Sequence, residues 1–83
     1  MAKVLVMLEV PAISETFEVK VPDNLPVGEL TYLLAKSVED ITEGRYRQSN
    51  TELLCSRERD ALLNEAKTAG AYKLQHGEHL ILM

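Results

Sequence analysis

Pro26 to Ile41, PVGELTYLLAKSVEDI, is the one stretch of this sequence that reads as a strong helix. Pro26 suits the first helical position, where its missing N–H would have had no partner anyway. Leu25 precedes a proline and is turned away from helical angles, so the helix starts no earlier. Gly44 lies just past Ile41 and can take the left-handed angles of a C-terminal cap. Val27, Leu30, Leu34, Val38 and Ile41 recur at helical spacing and form one apolar stripe, with Leu33 and Ser37 on its flank. Glu29, Lys36, Glu39 and Asp40 lie away from it, and Tyr32 falls roughly opposite its centre. Such a stripe needs a surface to bury it, and the rest of the chain supplies only strands. The expected architecture is α+β, with one helix packed across one face of a mixed four- to five-stranded sheet.

Working outward, Val4 to Val10 (VLVMLEV) begins as a continuous apolar run of β-favouring residues, the pattern of a central strand. Pro11 to Ser14 interrupts it. Thr16 to Val21 then alternates, with Phe17, Val19 and Val21 on one face and Thr16, Glu18 and Lys20 on the other; this predicts a half-buried strand hairpinned to the first. Pro22-Asp23-Asn24 leads into the helix. Beyond it, Gly44 to Asn50 is polar and aperiodic and reads as a loop. Thr51 to Ser56 is a short strand, Arg57 to Asp60 a charged turn, and Ala61 to Asn64 a shorter strand pairing back. Thr68 caps a single helical turn, Ala69 to Tyr72. Leu74 enters the core, His76-Gly77 turns the chain, and Glu78 to Met83 forms the last strand.

Strand, strand, helix, strand, short strand, helical turn, strand is an order that resembles the β-grasp, or ubiquitin-like, fold over nearly the whole chain, 1–83, taken as one domain. The end carries much of the likeness: Leu62-Leu63, the turn at Lys67-Thr68, then Leu74 to Leu82. Within that fold the chain resembles the YukD/EsaB family, free-standing ubiquitin-like proteins associated with type VII secretion in Gram-positive bacteria. Val21 to Val27, Leu30, Leu33-Leu34 and the Leu74 to Leu82 ending carry this resemblance. The polar middle, Arg45 to Asp60, departs from the family pattern, so no contact made there is carried over.

Several chemistries lack their residues. Conjugation or sulfur carriage needs a flexible Gly-Gly tail, whereas here a strand runs to Met83, so no conjugation is expected. A plant-type iron–sulfur cluster needs four cysteines, and the sequence holds only Cys55. His76 and His79 are too few for a zinc site of three or four ligands and read as a solvent-facing turn and strand start. Cys55 reads as a small, partly buried apolar residue rather than a reactive thiol. The expectation is no enzyme, no cofactor and no metal. A net charge of −4 argues against nucleic-acid binding. No signal peptide and no run long enough to insert into a membrane is visible, and the lack of a disulfide fits a cytoplasmic protein.

What remains is binding. A single helix leaves one sheet face open. If Val4, Val6 and Leu8 point at the helix, Leu5 and Met7 point away, and Ile81 and Met83 join them from the last strand. Ile81 and Met83 match two last-strand positions of the apolar patch that ubiquitin uses on this face. These four residues are the expected partner-binding surface. Secondary candidates are Tyr32 and Lys36 on the outer helix face, and Arg45, Arg47, Arg57 and Arg59, whose grouping in the middle of the chain predicts a locally basic end. The resemblance implies a non-catalytic protein-binding module of a type VII secretion system. Its partner would be a cytosolic region of a secretion membrane protein or ATPase, which would bring it to the inner face of the membrane. The alternatives are a structural subunit of a multicomponent monooxygenase, and a homodimer through the open sheet face.

Overall fold

The computed structural model describes residues 3–83. The elements run β1 (Lys3–Val10), a 3-10 turn (Pro11–Ile13), β2 (Glu15–Pro22), α1 (Val27–Ile41), β3 (Leu54–Ser56), β4 (Ala61–Leu62), α2 (Ala69–Tyr72) and β5 (Glu78–Leu82). They form one mixed five-stranded sheet in the order β2-β1-β5-β3-β4. β1 pairs antiparallel with β2 and parallel with β5, and β3 pairs antiparallel with both β5 and β4. Helix α1 supplies the crossover that brings the chain to the far side of β1. Its apolar stripe and the inner face of the sheet bury one another: Val6, Leu8 and Leu80 from the sheet, Val27, Leu34 and Val38 from the helix.

Four expectations need correction. Pro26 is the cap of α1 and not its first helical residue; it is extended and bridges Thr68. The reason is that the chain beyond β4 caps the helix. The Val27 N–H donates to the Lys67 carbonyl at 2.7 Å and the Gly28 N–H to the Glu65 carbonyl at 3.0 Å, filling two amides that a helix start leaves open. The buried flank of the stripe is Thr31 and Ala35, whereas Leu33 and Ser37 are exposed. Thr31 is accommodated because its hydroxyl donates to the Val27 carbonyl at 2.7 Å. Ile41 has the wheel angle of the stripe yet is 60 % exposed, because it is the last helical residue, a full turn beyond the last buried one, Val38. The expected strands over 51–56 and 61–64 shrink to Leu54–Ser56 and Ala61–Leu62, although Leu53 and Met83 still exchange a pair of backbone bonds at 2.9 and 3.0 Å.

The remaining turns follow their residues. Gly44 and Gly77 both stand at φ +85, angles that a side chain would strain. The Thr68 hydroxyl accepts the Ala71 N–H at 3.0 Å and caps α2.

Candidate binding surface

The sheet face away from α1 is laid out in rows by the strand register. One row reads Glu18, Met7, His79, Arg57 across β2, β1, β5 and the turn after β3. The next reads Thr16, Glu9, Ile81, Cys55, Leu62. Leu53 and Met83 lie beyond it, side by side. The four residues expected from the sequence therefore share this face but run diagonally across two strands. Leu5 and Met7 sit among Lys20, Glu18 and His79. Ile81 and Met83 sit instead with Cys55, Leu62 and Leu53. The continuous apolar block is thus at the β5-β3-β4 end, where Met83 and Leu62 are 58 % and 55 % exposed. A shallow groove there is lined by Cys55, Arg57, Leu62, Ile81 and Met83. Leu53, Cys55 and Leu62 could have been found from the sequence had the pairing of β3 with β5 been written out residue by residue.

A charged pair of contacts separates the two parts. The Arg57 guanidinium binds both carboxylate oxygens of Glu9, one of them at 2.8 Å. This hydrogen-bonded partner lowers the Glu9 pKa, and Glu9 in turn raises that of Arg57. Beside it the His79 ring nitrogen meets Glu58 at 2.6 Å, and the His79 amide donates to the same carboxylate at 2.8 Å. These two bonds hold Glu58 below its usual range. His76 accepts the Leu5 N–H at 3.1 Å. Among the described residues no cluster of three metal-ligating side chains exists.

The arginines do not form one basic end. Arg57 pairs with Glu9, Arg45 with Glu15 at 3.2 Å, and Arg59 with Glu78 at 2.7 Å. Among the described residues only Arg47 of the four has no ion pair, and it is exposed. Tyr32 is exposed on the outer face of α1, and Lys36 reaches Glu39 at 3.9 Å.

Two buried polar networks, absent from the sequence reading, hold the second half of the chain. Glu78 is 5 % exposed; its carboxylate accepts the Ser56 hydroxyl at 2.5 Å, the Arg59 guanidinium and the Gln75 N–H at 3.0 Å. Burial pushes its pKa up, but these three donors outweigh it and bring it down to about 2. Tyr46, in the segment expected to be a polar loop, is only 9 % exposed and donates its hydroxyl to Glu52 at 2.7 Å. Burial and the adjacent carboxylate raise the tyrosine pKa. Burial pushes Glu52 up, while the Tyr46 hydroxyl and the Ser49 N–H pull it down further.

This arrangement, a helix grasped by a mixed sheet of order β2-β1-β5-β3-β4, is the ubiquitin-like β-grasp fold. Among solved structures the chain is similar to the ubiquitin-like domain of EccD5 from Mycobacterium xenopi, at a TM-score of 0.79 and 15% identity over 100% of this chain and 94% of that one. It is similar to a chain of the MycP5-free ESX-5 inner membrane complex, at a TM-score of 0.78 and 21% identity over 98% of this chain and 20% of that one. It is also similar to the ubiquitin-like domain of Plasmodium falciparum Dsk2, at a TM-score of 0.68 and 15% identity over 99% and 100% of the two chains. No protein-family model matches the sequence, and no curated protein matches it.

Proposed function

We propose that this chain is a non-catalytic, ubiquitin-like protein-binding module of a type VII secretion system, of the YukD/EsaB kind. The observation that carries the reading is its likeness to the EccD5 ubiquitin-like domain, over 100% of this chain, and to a chain of the ESX-5 inner membrane complex, over 98% of it. The partner is a cytosolic region of a secretion membrane protein or ATPase, and the chain acts in the cytoplasm at the inner face of the membrane. Among the described residues no helix is long and apolar enough to cross a membrane.

The mechanism is docking. Ile81 and Met83, joined by Leu53, Cys55 and Leu62, offer a block of apolar surface that a partner can remove from water. Arg57 and Asp60 stand at its rim, where a polar partner edge can be met. The methionine adapts to the partner's shape. Leu5 and Met7 extend the same face toward a more charged region.

A pull-down from detergent-solubilised membranes of the source cells tests this, with the native chain and Ile81→Ser/Met83→Ser as parallel baits. Recovery of type VII membrane components by the native chain alone supports both the system and the site. Equal recovery by both baits keeps the system and transfers the site to Tyr32 or Arg47. Recovery of an oxygenase subunit sinks the secretion reading.

A further inference from the structure

Among the described residues the sheet has two edge strands, β2 of eight residues and β4 of two, so its long edge is β2. Leu5 shows how it is oriented. Its N–H donates to His76 and its carbonyl accepts from Gly77, at 2.7 Å, so both its backbone groups face β5. Leu5 and its partner Lys20 are therefore a non-hydrogen-bonded pair, and the groups of Lys20 point the other way, out of the sheet. Alternation puts Glu18, Thr16 and Pro22 in the same outward set. Among the described residues none bonds to the backbone of Thr16, Glu18 or Lys20 on that side. Within one copy the missing N–H of Pro22 falls where no neighbouring strand asks for it.

We propose that this edge pairs with β2 of a second copy of the chain, antiparallel and centred on Val19, to make one continuous sheet across a two-fold axis. Charge selects the partner and the register. Outward-facing groups can meet only when the register moves in steps of two residues. Centred on Glu18, the pairing sets Glu18 against itself; centred on Lys20, it sets Lys20 against itself. Centred on Val19, it places Glu18 of each copy opposite Lys20 of the other, twice, on the open face. On the helix side the same register brings Val19 against Val19, and Phe17 toward Val21. Val19 and Phe17 are only partly buried within one copy.

Each Glu18–Lys20 pair exchanges two backbone bonds and each Thr16–Pro22 pair one, about six in all. Like charges in the flanking registers also keep the edge from pairing indiscriminately.

One strand pair removes less surface than stable complexes do, so the dimer is weak and concentration-dependent, and sedimentation equilibrium from about 10 µM to about 1 mM should capture it. Glu18→Lys alone and Lys20→Glu alone each replace two attractions by two repulsions and should weaken self-association by roughly tenfold or more. An equimolar mixture of the two variants restores opposite charges at both pairs and should recover near-native association. Both side chains are exposed, and an unchanged melting temperature of each variant confirms that it folds. Amide exchange at Thr16, Glu18 and Lys20 should slow as concentration rises. A native chain that stays monomeric throughout overturns the proposal. So does a dimer that both charge variants leave unchanged, or a mixture that fails to recover; loss in Ile81→Ser/Met83→Ser instead would assign the dimer to the open face.

Discussion

Residues 3–41 and residues 45–82 build the same sheet and core by different means. In the first part every buried position is apolar except Thr31, whose hydroxyl is satisfied within its own helix. In the second part the strands have only two to five residues, and the connections are tied by buried side chains that carry or touch charge: Tyr46 to Glu52, and Ser56 and Arg59 to Glu78. Long elements can be selected by periodic burial alone, because each added residue repeats the same pattern. Short elements cannot, and specific hydrogen bonds must place them.

Removing apolar volume from the first part should give the largest effect. Leu8 is fully buried on β1, between β2 and β5. Leu8→Ala should cost about 3–5 kcal/mol, from lost burial together with the cavity left behind. Against a total stability of about 5–15 kcal/mol, that brings the chain close to unfolding. Urea denaturation reads the change; a loss below about 1 kcal/mol would show that the first part does not depend on its packed core in this way.

Glu78→Gln tests the second part. The folded pKa of Glu78, about 2, lies below its unfolded value. Its stabilisation is therefore complete above the unfolded pKa of about 4.3 and is lost as pH falls through 4 toward 2. Arg59 is partly open to solvent, which weakens its share, so the substitution should cost on the order of 2 kcal/mol at pH 7. The difference between native and variant should shrink toward zero near pH 2. Denaturation of both across this range checks it, and a difference independent of pH would assign the cost to shape rather than to charge. Glu9, Glu52 and Glu58 are also held below their usual range, but they are common to both chains and cancel in the comparison.

The same contrast explains what could be read in advance. The helix, the hairpin before it, the capped turn at Thr68 and the final strand were legible, because Val27-Leu30-Leu34-Val38, Phe17-Val19-Val21 and the Gly77 turn each carry a local signal. The open face was legible as a face, since strand alternation places Leu5, Met7, Ile81 and Met83 on it. Its division was not, because the ion pair of Glu9 with Arg57 joins residues far apart in the chain. Nor was the burial of Glu78: a glutamate beside a glycine turn reads as exposed until its donors from β3 and the following turn are in place. Arginines grouped along the sequence suggested a basic end, but folding separates them and gives three of them a glutamate each.

Tyr46→Phe gives the smallest of these effects and bears most directly on how the irregular segment before β3 is held. The change keeps the ring and removes one donor from Glu52. The same Glu52 oxygen still accepts the Ser49 N–H at 2.8 Å, so the carboxylate is not orphaned. The segment also keeps its tie to α1, where Glu39 accepts the Gln48 N–H at 2.8 Å. The expected cost is therefore about 1 kcal/mol, that of one hydrogen bond to a charged group with a second donor remaining. The Glu52 pKa should move upward, because one of the bonds that favours its charged form is gone while its burial is unchanged. A carboxyl-carbon NMR titration reads that shift, and amide exchange at Ser49 reads the local loosening. A raised Glu52 pKa with unchanged global stability would mean that Glu39 and Ser49 hold the segment by themselves, with Tyr46 contributing only its apolar ring. An unchanged Glu52 pKa would remove Tyr46 from the network altogether and leave the Ser49 N–H as the donor that holds Glu52.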